Sequence, residues 1–282
     1  LEARAAELAA EKGFRVHPDD ALVAEHVELV ECPGLLRGSI DPEFLELPPE
    51  VVVTTLRYHQ KCLILENEDG SLAPRFLTVI DRRDDPEGLV RQGNEWVIGA
   101  RLADARFFFE EDRKRTMEAW SKGLDRLEFH RVLGSVSAKA ERVGALAVAL
   151  ARRLWIDIDE RRLRHAALLV KTDLLTNMVV EFPELQGVMG RYYALSDGES
   201  AAIADAISEH YAPRFAGDEL PQSVDGRILA IADRLDTLAG VFTLGKKPSG
   251  NRDPFGLRRS ALGIVRVLIE CGIDLDLRSM VN

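Results

Sequence analysis

Residues 61–81 read KCLILENEDGSLAPRFLTVID, two runs rich in β-branched and large apolar residues on either side of Asp69-Gly70. A turn dipeptide between two such runs predicts a β-hairpin, because glycine tolerates the positive φ that tight hairpin turns need. We therefore expect paired strands over 61–66 and 69–79. Strands here, combined with long helical patterns elsewhere, place the chain in the α+β class.

The sequence on the N-terminal side of this hairpin mixes two kinds of pattern. Residues 1–12 (LEARAAELAAEK) predict a helix that ends at Gly13. Residues 27–31 (VELVE) predict a strand by their β propensity. Residues 50–60 are ambiguous, because VVVTT favours a strand whereas the position after Pro49 suits a helix start.

The sequence C-terminal to the hairpin carries helical patterns. Apolar residues recur at helical spacing, and Asp253-Pro254 resembles an N-cap followed by a first helical residue. We predict helices over 95–127, 131–154, 161–180, 225–242 and from Asp253 to about Cys271. The resulting organisation has three parts, an α+β domain over 1–105, a charged helical connector over 106–129 and an all-helical domain over 130–282.

Composition and charge limit the function classes. The net charge of −10 and the sequence pI of about 5.2 disfavour a protein that coats nucleic acid, although a local basic patch still permits specific RNA contacts. Three widely spaced cysteines argue against a disulfide framework and a CxxC zinc site, so we expect a cytoplasmic protein. No apolar run reaches the ~18 residues of a membrane span. The helical start at Leu1 suggests an internal part of a longer protein.

Two aspartates in helical context are candidate metal ligands. Asp173 follows Thr172 in VKTD, and Asp233 lies in AIADRLD. HD-type phosphohydrolases hold a divalent metal with a histidine, a His-Asp pair and a later aspartate in an Ala-Asp context. Two carboxylates without imidazoles make a poor transition-metal site. Asp233 also falls off the apolar stripe of its helix, so we expect both acids to be polar supports, with no metal site and no catalytic residue in this chain.

The most basic segment is GKKPSGNRDPFGLRR, residues 245–259, with five cations against one acid. Backbone amides at the following helix start, together with flanking arginines, are suited to receive a phosphate. A structural loop with a solvated basic face and a protein contact are the alternatives. The candidate contact residues are Lys246, Lys247, Arg252, Arg258 and Arg259.

A second candidate contact is the segment RYHQK at residues 57–61. Arg57, His59 and Gln60 place polar groups beside Tyr58, a combination able to read RNA edges or stack on a base. The ordinary alternative is a set of half-exposed residues at an element boundary.

Five longer strings occur together in an order that resembles one family. They are PPEVVVTTLRYHQKCLIL (48–65), GNEWVIGARLADARFFFEED (93–112), VKTDLLTNMVVEFPELQGVMGRYYA (170–194), AIADRLDTLAGVF (230–242) and KPSGNRDPFGLRRSALGIVRVL (247–268). With them, essentially the whole chain resembles the beta subunit of bacterial two-subunit glycyl-tRNA synthetases.

The resemblance implies a non-catalytic part of the beta subunit of a glycine–tRNA ligase. In that family the alpha subunit forms glycyl-adenylate with ATP and Mg, so no cofactor is expected in this chain. The implied partners are the alpha subunit and tRNA(Gly), in a heterotetramer of two alpha and two beta chains that has no membrane association. The resemblance also implies that the helical domain over 130–282 is HD-like.

The chain departs from the hydrolase pattern at Ser135 and Thr172, where that pattern has histidines. Thr172, Asp173 and Asp233 therefore stand at degenerate HD positions. An HD-type metal-dependent phosphohydrolase is the alternative function, and metal lost on substitution of Asp173 would favour it. A third interpretation is a scaffold that joins two functional ends of a longer chain and makes no RNA contact.

Overall fold

The computed structural model describes residues 1–277, which fold as two compact units, Leu1–Glu111 and a second unit that begins at Asp112. The first unit contains a four-stranded sheet, and the second is helical apart from one small hairpin. The predicted α+β class is confirmed. The finer division into three segments stays a prediction, and the last five residues of its third segment lie outside the described part.

The sheet of the first unit is antiparallel, with strand order β1-β3-β4-β2. Asp69 and Gly70 build the predicted hairpin between β3 and β4, which is confirmed. Gly70 takes a φ of +84°, and Asp69 Oδ1 accepts a hydrogen bond from Ser71 N–H at 2.9 Å. Local turn chemistry therefore sets the central strand pair. The strands are β1 (Arg15–Val16), β2 (Pro33–Ser39), β3 (Leu63–Glu66) and β4 (Leu72–Asp81).

The strand expected at 27–31 is wrong, because this stretch lies at the end of a helix. Asp19 caps that helix by accepting a hydrogen bond from Leu22 N–H at 2.9 Å. Leu22 and His26, four residues apart, are buried on one helix face. The cap and the buried face outweigh the β propensity of VELVE. The helices that begin in this unit are α1 (Glu2–Ala10), α2 (Asp20–Leu29), α3 (Pro49–Val53) and α4 (Leu89–Asp112).

The ambiguous stretch 50–60 is helical. α3 begins at Pro49 and continues directly into a π-helical turn over Thr54–His59. The helical arrangement buries three apolar side chains of this stretch, those of Val51, Val52 and Leu56. Burial of one face therefore overrides the strand preference of consecutive valines.

The second unit is a helical assembly with a short hairpin between its first two helices. Its helices are α5 (Met117–Ser121), α6 (Val136–Arg153), α7 (Glu160–Leu169), α8 (Asn177–Glu181), α9 (Val188–Ser196), α10 (Ala201–Glu209), α11 (Val224–Thr243) and α12 (Leu257–Glu270). The hairpin consists of β5 (Glu128–His130) and β6 (Gly134–Ser135). α6 packs against α7 and α11, and α11 also packs against α10 and α12.

Three of the helices predicted between residues 95 and 180 differ from the observed ones. The helix expected over 161–180 is interrupted after Leu169 by a 3-10 turn (Thr172–Leu175), and α8 follows it. The helix expected over 131–154 starts only at Val136 because 131–135 belongs to the hairpin. The helix expected over 95–127 is broken between α4 and α5. Thr116, the N-cap of α5, accepts a hydrogen bond from Ala119 N–H at 3.2 Å.

Small residues allow α6 and α7 to approach closely. A Cβ added at Gly144 of α6 would lie 3.2 Å from the Cβ of Ala167 on α7. This packing brings the polar side chains of α6, of the segment after α7 and of α11 to one place. Among the helices of residues 1–277, none is long and apolar enough to cross a membrane.

Candidate functional site

A network of charged side chains in the second unit joins three helical segments. Lys139 lies on α6, Lys171 follows α7, and Asp233 and Asp236 lie on α11. Arg142, one helical turn after Lys139, completes the group. We call these five residues the ion cluster.

Each carboxylate of the ion cluster contacts two cations. Lys139 Nζ lies 3.1 Å from Asp233 Oδ1 and 3.0 Å from Asp236 Oδ2, and Lys171 Nζ lies 3.3 Å from Asp233 Oδ2. Arg142 donates through Nε and Nη2 to the two oxygens of Asp236 at 2.6 and 3.2 Å. Lys139 is 4% exposed, so water screens this cluster weakly. The cluster therefore cross-links α6, the segment after α7, and α11.

The side chains of the ion cluster do not suit a divalent metal. Burial alone would raise the pKa of Asp233, but the ammonium groups of Lys171 and Lys139 outweigh burial and hold that pKa well below its usual range. Burial lowers the pKa of Lys171. A metal ion bound to Asp233 would lie beside two ammonium groups that already contact its carboxylate, and like charges at such distances repel. The two lysines thus provide the positive charge that a metal would provide.

Asp233 lies off the apolar stripe of α11, yet its side chain is mostly buried. Its side chain is only 15% exposed and is ion-paired on both oxygens. A helical wheel of α11 cannot reveal this, because the partners come from other segments. Lys139 was missed by sequence reasoning, although its spacing contained a signal. It lies three residues after Val136 and four before Val143, both buried, and therefore on the core face of α6.

Asp173 lies outside the ion cluster and binds backbone amides. Its Oδ2 accepts hydrogen bonds from Gly187 N–H at 2.5 Å and from Gly190 N–H at 3.2 Å. Its Oδ1 is buried and has no hydrogen-bond partner among residues 1–277. Burial raises the pKa of Asp173 to about 6. Glycine suits position 190, because a Cβ there would lie 3.1 Å from Asp173 Oδ2 and 2.7 Å from Ile207.

The other degenerate HD positions have structural contacts. Ser135 caps α6 by accepting a hydrogen bond from Ala138 N–H at 3.2 Å. Thr172 is buried in the 3-10 turn rather than inside a helix, and its hydroxyl lies 3.5 Å from the carbonyl oxygen of Leu168. His210, which is not one of these positions, lies in the core. Its Nδ1 is 2.6 Å from the Ile207 carbonyl oxygen, and its Nε2 has no hydrogen-bond partner in the described part of the chain.

The basic loop over 245–259 is held by contacts within the loop and by one contact to β5. Lys246 Nζ lies 2.9 Å from His130 Nε2 and 5.0 Å from the centre of the Phe255 ring. Arg258 donates a hydrogen bond to the carbonyl oxygen of Gly250 at 2.7 Å. Residues 246–249, 252–255 and 257 line a cavity of about 250 Å³. The side chains of Lys247, Arg252 and Arg259 make no ion pair within 4.0 Å among the described residues.

The phosphate site expected at the start of α12 is occupied by a side chain of the protein. Asp253 accepts hydrogen bonds from Leu257 N–H at 2.8 Å and from Arg258 N–H at 2.9 Å. The helix begins at Leu257 rather than at Pro254, because the side chain of Asp253, four residues before Leu257, binds the first two amides of the helix. An anion at this loop would therefore meet side-chain cations rather than helix amides.

The RYHQK segment lies in the first unit, and its arginine is already paired. Arg57 donates to both oxygens of Asp19, at 2.6 and 3.0 Å, and lies 4.4 Å from the Tyr58 ring centre. His59 and Gln60 are half-buried at the end of the π-helical turn. Arg57 therefore connects this turn to the cap of α2.

Comparisons with known proteins agree with the resemblance. A family model described as "Glycyl-tRNA synthetase beta subunit" matches residues 1–282. The "Glycine--tRNA ligase beta subunit" of Janthinobacterium sp. (strain Marseille) is 48% identical over 279 residues, covering 98% of this chain and 40% of the relative. The protein so named in Polaromonas naphthalenivorans (strain CJ2) is 48% identical over 279 residues, 98% of this chain and 39% of the relative.

A third relative of the same name, from Desulforamulus reducens (strain ATCC BAA-1160 / DSM 100696 / MI-1), is 45% identical over 277 residues, 98% of this chain and 40% of the relative. The chain thus spans about 40% of the length of the curated relatives it matches. Because the family model covers every residue of the sequence, the chain belongs to the glycyl-tRNA synthetase beta subunit family.

Proposed function

We propose that this chain is a non-catalytic part of a glycine–tRNA ligase beta subunit that supports tRNA(Gly) recognition through the basic loop. The observation that carries the proposal is the excess of cations in this loop, five against one acid in a chain of net charge −10. Cations that contact phosphates supply most of the affinity of proteins for nucleic acids.

The side chains available for such contacts differ within the loop. All five cations are exposed, but Lys246 already contacts His130 and Arg258 the Gly250 carbonyl, which leaves Lys247, Arg252 and Arg259 for such contacts. Phosphate contacts fix the position of a nucleic acid but do not read its bases. We therefore assign this loop a role in positioning tRNA, and leave reading of the tRNA(Gly) bases to other parts of the protein.

The aminoacylation chemistry is proposed to belong to the alpha subunit, with its ATP and Mg. The relatives are named as beta subunits, and this name supports an alpha-subunit partner for this chain. In the second unit, the ammonium groups beside Asp233 oppose a metal-dependent phosphohydrolase activity. The proposed assembly is a heterotetramer of two alpha and two beta chains.

The test uses full-length beta chain assembled with the alpha subunit. Replacing both Lys247 and Arg252 with alanine should lower the rate of tRNA charging about tenfold at subsaturating tRNA, while glycyl-adenylate formation persists. The matched control replaces two exposed arginines of α6 and α7, Arg153 and Arg164, and should change charging less than about twofold. Raising the salt concentration should weaken tRNA binding with a smaller slope in the Lys247/Arg252 variant.

Equal charging by wild type and the Lys247/Arg252 variant would refute the role of the loop. A crosslinking map of the assembled enzyme with tRNA separates this outcome from a scaffold function. If no crosslink falls within residues 1–282, the scaffold interpretation is correct. Crosslinks elsewhere in these residues, but not in the loop, would place the tRNA contact on another surface.

A further inference from the structure

The first unit contains a cavity of about 400 Å³ that no part of the proposed function uses. It lies where β2, β4, the segment after α1 and the first turns of α4 meet. Its lining is unusually rich in cations for an acidic chain. The lining residues are Lys12, Phe14, Arg37, Gly38, Ser39, Arg75, Arg91 and Glu95.

Strand register places three of these side chains on one face of the sheet. Arg37 and Ser39 are two residues apart on β2, and Arg75 of β4 is the cross-strand partner of Ser39. Residues two apart on a strand share a face, as do directly paired residues in an antiparallel sheet. The sheet itself therefore gathers two arginines beside a serine hydroxyl.

Glu95, the acidic residue that lines the cavity, is hydrogen-bonded to the edge strand β2. Glu95 Oε1 accepts hydrogen bonds from Ser39 N–H at 2.8 Å and from Ser39 Oγ–H at 2.7 Å. These bonds connect α4 to β2 and give this carboxylate oxygen two neutral donors. Glu95 makes no ion pair with the cavity cations within 4.0 Å in the described part of the chain.

The cations of the cavity are weakly neutralised. Arg37 donates a hydrogen bond to the carbonyl oxygen of Leu8 at 2.7 Å, and its nearest acid, Glu11, is 3.8 Å away. In residues 1–277, no acid lies within 4.0 Å of the charged groups of Lys12, Arg75 or Arg91. Four cations thus face Glu95, the more distant Glu11, and Asp85, whose carboxylate accepts a hydrogen bond from the Arg91 backbone N–H at 2.9 Å. A concave surface with this imbalance attracts anions.

Guanidinium groups favour oxyanions, and their paired N–H groups match the geometry of a phosphate. The cavity volume lies within the range of small-molecule sites, and Phe14 contributes an apolar wall. We propose that this cavity binds a phosphate ester of nucleotide size. The ester is supplied either by a free nucleotide or by an RNA backbone.

The test measures binding of three probes to full-length beta chain by calorimetry at low salt. The probes are pyrophosphate, ATP without magnesium, and a twelve-nucleotide single-stranded RNA. Replacing Arg75 and Arg91 with glutamine should lower affinity at least about tenfold, because bonds to charged groups are lost. The matched control replaces Arg82 and Arg83, exposed arginines of the same unit outside the cavity, and should lower affinity less than about twofold.

The probes distinguish the two sources. If the Arg75/Arg91 variant loses ATP binding, the ligand of the cavity is a free nucleotide. If that variant loses RNA binding but keeps ATP binding, the ligand is a phosphate of an RNA backbone. The RNA measurement is repeated with Lys247→Ala and Arg252→Ala, so that binding at the basic loop and at the cavity are separated. Failure of the basic-loop proposal would leave this result unchanged.

Lys12→Gln serves as a second variant, because Lys12 is exposed and its replacement should leave the fold intact. It should weaken binding severalfold, about as expected for one charge. The proposal is overturned if wild type binds none of the three probes. It is also overturned if the Arg75/Arg91 variant binds all of them as tightly as the Arg82/Arg83 control.

Discussion

The two units of the molecule use the same kinds of charged residue in opposite ways. In the second unit, Lys139 and Lys171 meet aspartates at 3.0 to 3.3 Å and are buried. In the cavity of the first unit, the guanidinium groups of Arg75 and Arg91 have no carboxylate within 4.0 Å in the described chain. The difference lies in the local supply of carboxylates. Where acids match cations the charges hold helices together, and where they do not the charges remain available to a ligand.

The largest expected effect comes from breaking the ion cluster. Lys139→Met removes the cation shared by Asp233 and Asp236, and should destabilise the second unit by about 3 kcal/mol, because two poorly solvated carboxylates each lose one of their two cations. Hydrogen exchange of the amides in α6 and α11 measures this loss. The full chain has two units, so one global unfolding energy would not isolate the effect.

The control for this prediction is an exposed pair. Arg152 donates to Glu160 at 2.6 and 2.7 Å on the surface, with the Arg152 side chain 67% exposed. Arg152→Met should leave the exchange of the α6 amides close to that of wild type, because water screens such pairs. Equal protection of α6 in wild type and Lys139→Met would show that the ion cluster adds nothing to stability.

Asp173 gives a smaller, pH-dependent effect in the same unit. Its pKa rises from 3.8 to about 6 on folding. The folded state then binds the proton more tightly, so this group favours folding increasingly as pH falls from about 6 to 4. Above pH 6 the buried charge costs stability. Relative to Asp173→Asn, wild type should therefore lose roughly 2–3 kcal/mol between pH 4 and pH 7, at 1.36 kcal/mol per pKa unit.

Exchange of the Gly187 and Gly190 amides reports this difference directly, because both amides donate to Asp173. Comparing the two proteins at each pH cancels the intrinsic pH dependence of exchange. His210 remains in both proteins, so the pKa lowering that burial causes at His210 cancels as well. A difference that is flat from pH 4 to pH 7 would mean that Asp173 titrates normally.

Sequence prediction succeeded for elements whose determining contacts are close in sequence, and failed for elements whose contacts are distant in sequence. The β3–β4 hairpin was predictable because its signal, Asp69-Gly70, lies between its own strands. Residues 27–31, at the end of α2, were predicted as a strand because the burial of α2 depends on contacts with sheet residues that are distant in sequence. The family resemblance could be recognised without the structure, because it rests on long stretches of sequence.

The candidate sites were less predictable for the same reason. Asp173 and Asp233 were found from their context, but their partners were not, because Lys139 lies 94 residues away from Asp233 in sequence. The cavity of the first unit depends on the register that sets Ser39 opposite Arg75. No periodicity in either strand encodes that register alone, so the cavity could be recognised only in three dimensions.

The smallest expected effect concerns Arg75, one of the cations without an acid partner in the cavity of the first unit. Arg75→Gln removes a cation that has no acid within 4.0 Å in residues 1–277 and lies among other cations. Its loss should leave the stability of the first unit within about 0.5 kcal/mol of wild type, and any change should be stabilising, because repulsion is relieved. Exchange of β2 and β4 amides is the measurement. A clear destabilisation would show that Arg75 is a structural residue like Lys139, and the contrast between the two units would then disappear.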